Sequence, residues 1–262
     1  MPFTVAHTGI VLPLKKWRPG WFSLTGLMAG AMSPDLLYFL LLHTSERGFS
    51  HSWTGLALFC LPAGLVFSFA FHWLFKYHVI LNLPAPFDRL FSGLATSRFV
   101  PGSGRAWAVL ISSVALGTLT HFGWDSFTHA RGEIATMLPF LTQSVVLLER
   151  PVPATVLAQH TSTAFGFLML GWFVWKRWNI PAPVAFVETR TASEKLRFWI
   201  GCGVTSVVFT LAVYWFFRAV APELVAYPVT TLGLSSWAGF FWAVAGYTVI
   251  KFVAGHRAVT TS

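Results

Sequence analysis

His121, Asp125 and His129 follow one another at intervals of four in the stretch GTLTHFGWDSFTH, residues 117–129. Four residues advance an α-helix by about 400°, so the spacing predicts one stripe carrying two imidazoles and a carboxylate. The stretch closes an apolar run, AWAVLISSVALGTL, that is long enough to enter a bilayer. Titratable groups are expensive at membrane depth, and there they mark metal or proton sites. Neutral imidazoles with carboxylates suit Zn²⁺ or a similar divalent metal. Such an ion lowers the pKa of a water that it holds, and a second ion can polarise a phosphoryl or acyl oxygen. No GxSxG serine motif, P-loop or dinucleotide-binding glycine pattern offers a competing chemistry.

The rest of the chain must position these groups. Of its 262 residues, 55% are hydrophobic and 10% charged, against about 25% charged in a soluble domain. That composition predicts a polytopic membrane protein. The formal net charge of +9 would suit nucleic acid, but Lys and Arg sit in short loops between apolar runs. They form no continuous basic stripe, so no nucleic-acid partner is expected. Cys60 and Cys202 lie in apolar runs without a CxxC motif, as buried inert thiols do. In MPFTVAHTGIVLPLKKW the basic residues follow the apolar ones, the reverse of a secretory signal.

Residues Phe3 to Leu14 are too few to cross, since a crossing takes about 20. Full spans are expected at Trp21 to Leu42, Trp53 to Phe75, Ala106 to Phe127, Ala154 to Trp175, Phe198 to Phe217 and Leu232 to Phe252. Lys76 to Arg105 reads as a segment lying on the membrane surface. Ala130 to Pro153 is apolar enough to dip into it. The expected fold is an all-α polytopic transmembrane bundle of about six spans plus a short N-terminal half-helix. It forms a single membrane domain over 1–262, with a motif-bearing core at 1–178 and two additional helices within 195–256. Of the 18 Lys and Arg, only Arg47, Arg131, Arg150 and Arg218 fall on one side of this topology. The basic side is therefore expected to be cytoplasmic.

Heights follow at about 1.5 Å per residue, placing Asp35 about 22 Å above Gly20, and His121 and Asp125 about 24 and 30 Å above Arg105. His160 lies about 24 Å above Lys176, His51 about 38 Å from Lys76, and His7 about 12 Å above the first basic turn. Separate segments thus bring His or Asp to the outer part of the bilayer. Simpler readings exist for each residue. A lone His such as His160 can pack by hydrogen bonding, and Asp35 after Pro34 can cap a broken helix. Arg47 and Arg131, in the outer loops, are either solvated charges or a clamp on a phosphate. His72 and His78 read as interfacial, and His43 and His256 as loop or tail residues.

The set MPFTVAH, SPDL, FSHSWTG, HFGWDSFTH and Gln159-His160 resembles the YdjM-type membrane-bound metal-dependent hydrolases of bacteria. In its fuller wording it is similar to a related membrane family, a domain of unknown function. The YdjM type is in turn similar to zinc-dependent phospholipase C and its nuclease relatives. The resemblance covers roughly residues 1 to 175. It implies His7, Asp35, His51, His121 and Asp125 as metal ligands, with His129 and His160 as further candidates. One departure is that PDLLY stands where the YdjM type has PDxDH, which leaves the number of ions open.

The expected function is that of an integral-membrane metallohydrolase in the bacterial inner membrane, with its site facing the non-cytoplasmic side. A site at that depth favours a phosphoester of a lipid or lipid-linked substrate. Asp125 or Asp35 could serve as general base instead of ligand. The main alternative is a transporter or metal/proton carrier. It is disfavoured because AWAVLISSVALG and GFLMLGWFVW, below the cluster, carry no titratable group. A scaffold that binds metal only for stability is a third reading.

Overall fold

The computed structural model describes residues 3–44, 47–97, 99–178, 190–225 and 228–260; for Arg47, Arg177 and residues 255–260 it describes the backbone alone. About 82% of the protein is helical, and the described residues hold one two-stranded hairpin as their sheet. The long helices are α1 (His7–Trp17), α2 (Leu24–Leu41), α3 (Trp53–Leu81), α4 (Gly104–Thr128), α5 (Ala154–Trp178), α6 (Ala192–Val220) and α7 (Pro228–Thr260). This is an all-α bundle of the expected class. Among the described residues, α2, α3, α4, α6 and α7 are long and apolar enough to cross a membrane. The expected fourth span, α5, has the length, but Gln159 to Thr163 dilute its hydropathy.

The chain divides into two compact units. Unit 1 comprises residues 1–36, 48–68 and 101–179, and so holds α1, most of α2, the first part of α3, α4 and α5. Its helices approach closely where side chains vanish. A Cβ on Gly30 of α2 would stand 2.1 Å from the Val114 carbonyl oxygen of α4, and one on Gly117 of α4 would stand 2.2 Å from that of Leu27. With Gly26, the GLMAG stretch makes a small-xxx-small face, the kind that lets membrane helices pack backbone to backbone. α1 meets α5 likewise at Gly9 and Gly166.

Proline shapes two of these helices. α3 widens to i→i−5 turns at Leu56–Cys60 and Phe71–Phe75. The first precedes Pro62, which has no N–H and crowds the carbonyl four residues back. In α2, Pro34 leaves the Gly30 carbonyl without its helical donor. The Ser33 and Thr118 hydroxyls fill that place at 2.9 and 3.3 Å. α2 therefore runs unbroken through Asp35, which is not a cap on a broken helix.

The connection after α4 folds into short turns at Glu133–Met137 and Pro139–Thr142 and the hairpin β1 (Ser144–Leu147) and β2 (Arg150–Pro153). Leu148 and Glu149 both take positive φ, 47° and 64°, the two-residue turn that matches strand twist. The outer edges of a two-stranded hairpin remain unpaired, so it suits an interface and not the hydrocarbon core.

Unit 2 comprises residues 37–47, 69–100 and 180–262. Thr191 caps α6 in a capping box with Glu194. α6 packs along α7 around buried Phe198, Cys202 and Val244. The expected surface segment after α3 holds two short helices, Phe87–Leu90 and Ser92–Thr96, and its Asp88 is ion-paired with Lys195 of α6.

Candidate metal centre

The site is built wholly within unit 1, from α1, α2, α4 and the turn before α3. His7 opens α1. Asp35 follows Pro34 on α2. His51 ends the Arg47–Ser50 turn, and Ser52 then caps α3 by accepting from the Gly55 N–H at 2.9 Å. Glycine is required at 55, because a Cβ there would stand 1.9 Å from the Phe49 carbonyl oxygen. The FSHSWTG stretch is therefore a tight turn that aims His51 inward.

The donor atoms converge. His51 Nε2 and His121 Nε2 are 3.3 Å apart. Asp125 Oδ2 lies 3.4 Å from the first and 3.6 Å from the second. Asp35 Oδ1 is 3.8 Å from both. His7 Nε2 is 3.6 Å from Asp125 Oδ1, and the His7 ring stacks on His121 with centroids 4.0 Å apart. Among the described residues, two trios could each hold an ion, His7–His121–Asp125 and Asp35–His51–His121, and they share His121.

These separations are long for hydrogen bonds and right for ligands. Donors at about 2.0–2.1 Å from one tetrahedral ion stand about 3.3–3.4 Å from each other. Electrostatics agrees. Two carboxylates are sealed from water, Asp35 at 0% and Asp125 at 6% exposure, and such charge is kept only when a cation offsets it. His7 adds a buried imidazole whose two nitrogens make no hydrogen bond among the described residues.

The surrounding groups fix the orientation of the ligand atoms. His121 Nδ1 is 2.7 Å from the Ala31 carbonyl oxygen. A carbonyl only accepts, so Nδ1 carries the proton and, in the neutral ring, the Nε2 lone pair faces the cluster. Ala31 lies next to Gly30, at the place where Pro34 loosens the α2 backbone. Thr4 Oγ1 donates to Asp35 Oδ2 at 2.6 Å, leaving Oδ1 directed at the two imidazoles. Ser50 Oγ meets His51 Nδ1 at 3.0 Å. Removing the Thr4 hydroxyl in Thr4→Val is expected to weaken metal binding about 10- to 100-fold, as lost outer-shell partners do. Competition with a calibrated chelator measures it, and unchanged affinity would dismiss the role of Thr4.

His129 joins the cluster by a different route from the expected stripe. α4 ends at Thr128, and His129 leaves in extended conformation as its C-cap. Its Nδ1 turns back to the Asp125 carbonyl oxygen at 3.0 Å and lies 3.5 Å from Asp125 Oδ1. The polar Thr128-His129 end stops the helix and folds it over.

His160 is not brought in. It is exposed on α5 and stands outside both trios. Its neighbour Gln159, about 100° away around the helix, takes the inward position and donates to the Thr128 carbonyl oxygen at 2.8 Å. The Arg131 side chain is exposed in the turn beyond His129, and that of Arg47 lies outside the described residues. His72 and His78 belong to unit 2, where they pack on Phe99 and Tyr247.

Thr4, Ser50, Gln159 and the Ala31 carbonyl were not singled out by residue type. Three of them lay in plain view inside the motifs MPFT, FSHS and QH. No curated protein and no solved structure matches the chain. The chain belongs to the family described as Domain of unknown function (DUF4184), whose model it matches over residues 1–249.

Proposed function

We propose that the protein is an integral-membrane metal-dependent hydrolase of the YdjM type, acting on a phosphoester of a lipid or lipid-linked substrate. The observation that carries this reading is the convergence of His7, Asp35, His51, His121 and Asp125, with His121 Nδ1 tied to the Ala31 carbonyl. A zinc-type ion held there would activate water and polarise a phosphoryl oxygen. Asp35, His51 and His121 offer a three-donor face, which leaves a fourth tetrahedral position for water or substrate. Asp35, sealed and tied on one oxygen by Thr4, suits a ligand. Asp125, with 6% exposure, is the better placed carboxylate to take a proton. Arg131, beyond the end of α4, would meet an anionic substrate.

By the positive-inside rule, this end of the helices faces away from the cytoplasm of a bacterial inner membrane. A lipid reaches such a depth more readily than a soluble polymer does. One contact favours the second reading, a metal or proton carrier: two Nε2 atoms 3.3 Å apart can share a proton as well as an ion. The hydrolase reading is preferred because α4 carries no titratable group between Arg105 and His121 to continue a path.

The test is metal analysis of the purified full chain together with a screen of phosphoesters and phospholipids. Hydrolysis that a chelator abolishes and Zn²⁺ or Mn²⁺ restores is the expected result. Ion or proton flux in proteoliposomes, with no ester cleaved, would replace the proposal by the carrier.

A further inference from the structure

Unit 2 contains a cavity of about 490 Å³ near the N-terminal end of α6 and the C-terminal part of α7. Its rim carries Arg190, Arg197 and Lys251 against one carboxylate, Glu194. That carboxylate is engaged in the α6 cap, where Glu194 Oε2 accepts from the Thr191 N–H and hydroxyl at 2.8 Å each. Glu194 keeps its charge there and offsets one of the three cations, so the rim carries an excess of positive charge.

The donors point to one kind of ligand. Arg190 Nη1 donates to Tyr247 Oη at 2.5 Å. The phenol accepts there, so its own proton is left to give. Arg190 Nε is buried and makes no hydrogen bond among the described residues, an N–H that needs an acceptor. Lys251 sits over the same Tyr247 ring at 5.7 Å. Guanidinium, phenol and ammonium thus gather around one small space, and the α6 N-terminus adds its partial positive charge. A compact polyvalent acceptor with negative charge, a phosphate, fits this set. Beyond the rim the walls turn apolar, with Phe198, Gly201 and Ala243, and both helices are long and apolar enough to cross a membrane.

We propose that this cavity binds the phosphate of an anionic phospholipid, its headgroup held by Arg190, Tyr247 and Lys251 and an acyl chain lying along Phe198, Gly201 and Ala243. Basic pockets between membrane helices hold anionic headgroups in this way. The proposal is independent of the metal centre, whose residues all lie in unit 1.

The experiment titrates the full chain in detergent with dilauroyl phosphatidylglycerol, dilauroyl phosphatidylcholine and inorganic phosphate, read by native mass spectrometry and thermal unfolding. The anionic phosphatidylglycerol is expected to bind more tightly than the zwitterionic phosphatidylcholine and to raise the melting temperature. Each cation removed, in Arg190→Gln or Lys251→Gln, should lower that preference about fivefold. Lys251 is exposed, so its variant keeps the fold even if Arg190→Gln does not. Metal content should be the same in every variant. Equal binding of the two lipids, or a preference that survives Lys251→Gln, would overturn the proposal. Equal stabilisation by inorganic phosphate alone would overturn it in favour of a soluble ligand.

Discussion

Replacing His121 by alanine is expected to empty the metal centre, leaving under about a tenth of the wild-type metal after purification. The reason is topological as well as chemical. His121 is the one residue common to both trios, so its loss reduces each to two donors. Its ring also carries the stack with His7 and the 3.3 Å contact with His51. Loss of an outer-shell partner alone costs about 10- to 100-fold in affinity, and loss of a shared ligand should cost more. The control is His160→Ala on α5, outside both trios, which should keep its metal in full. Circular dichroism and gel filtration separate ligand loss from misfolding, since the ring is buried. A folded His121→Ala protein with wild-type metal content would sink the ligand assignment.

A leucine at Gly30 is expected to do comparable damage without touching a ligand. Its Cβ would lie 2.1 Å from the Val114 carbonyl oxygen, where only backbone faces backbone and no flexible side chain can give way. Overpacking a well-packed interior costs about 1–3 kcal/mol, and here α2 and α4 must separate. Asp35 lies five residues beyond Gly30 on α2, and His121 four beyond Gly117 on α4. Parting the helices at these glycines therefore parts the carboxylate from the imidazole. Metal content and melting temperature should fall together. Gly123, on the same helix α4, is the contrast: among the described residues nothing lies within 4 Å of a Cβ there. Gly123→Ala should keep the metal and stabilise the helix by up to about 1 kcal/mol. Equal behaviour of Gly30→Leu and Gly123→Ala would show that the close approach is not what seats the site.

The residue types and their spacing determined much of this. Apolar runs of about 20 residues have few ways to satisfy their backbone other than helices, so the bundle was legible along the chain. So were the principal ligand candidates, because His7, Asp35, His51, His121 and Asp125 are polar exceptions in apolar surroundings. Their orientation was not legible. Whether α4 continues past Thr128 depends on local capping, and the turn there moves His129 off the stripe that its spacing implies. His160 and Gln159 are adjacent in the chain, and packing against α4 selected the amide and left the imidazole outside. The meaning of Pro34 was hidden too. It does not break α2; it frees a carbonyl that Thr118 reaches across from α4, next to the one that holds His121. Sequence spacing reports which groups share a face of one helix. Which nitrogen of a ring faces an ion depends on a backbone oxygen from another helix, and only the packed helices supply it.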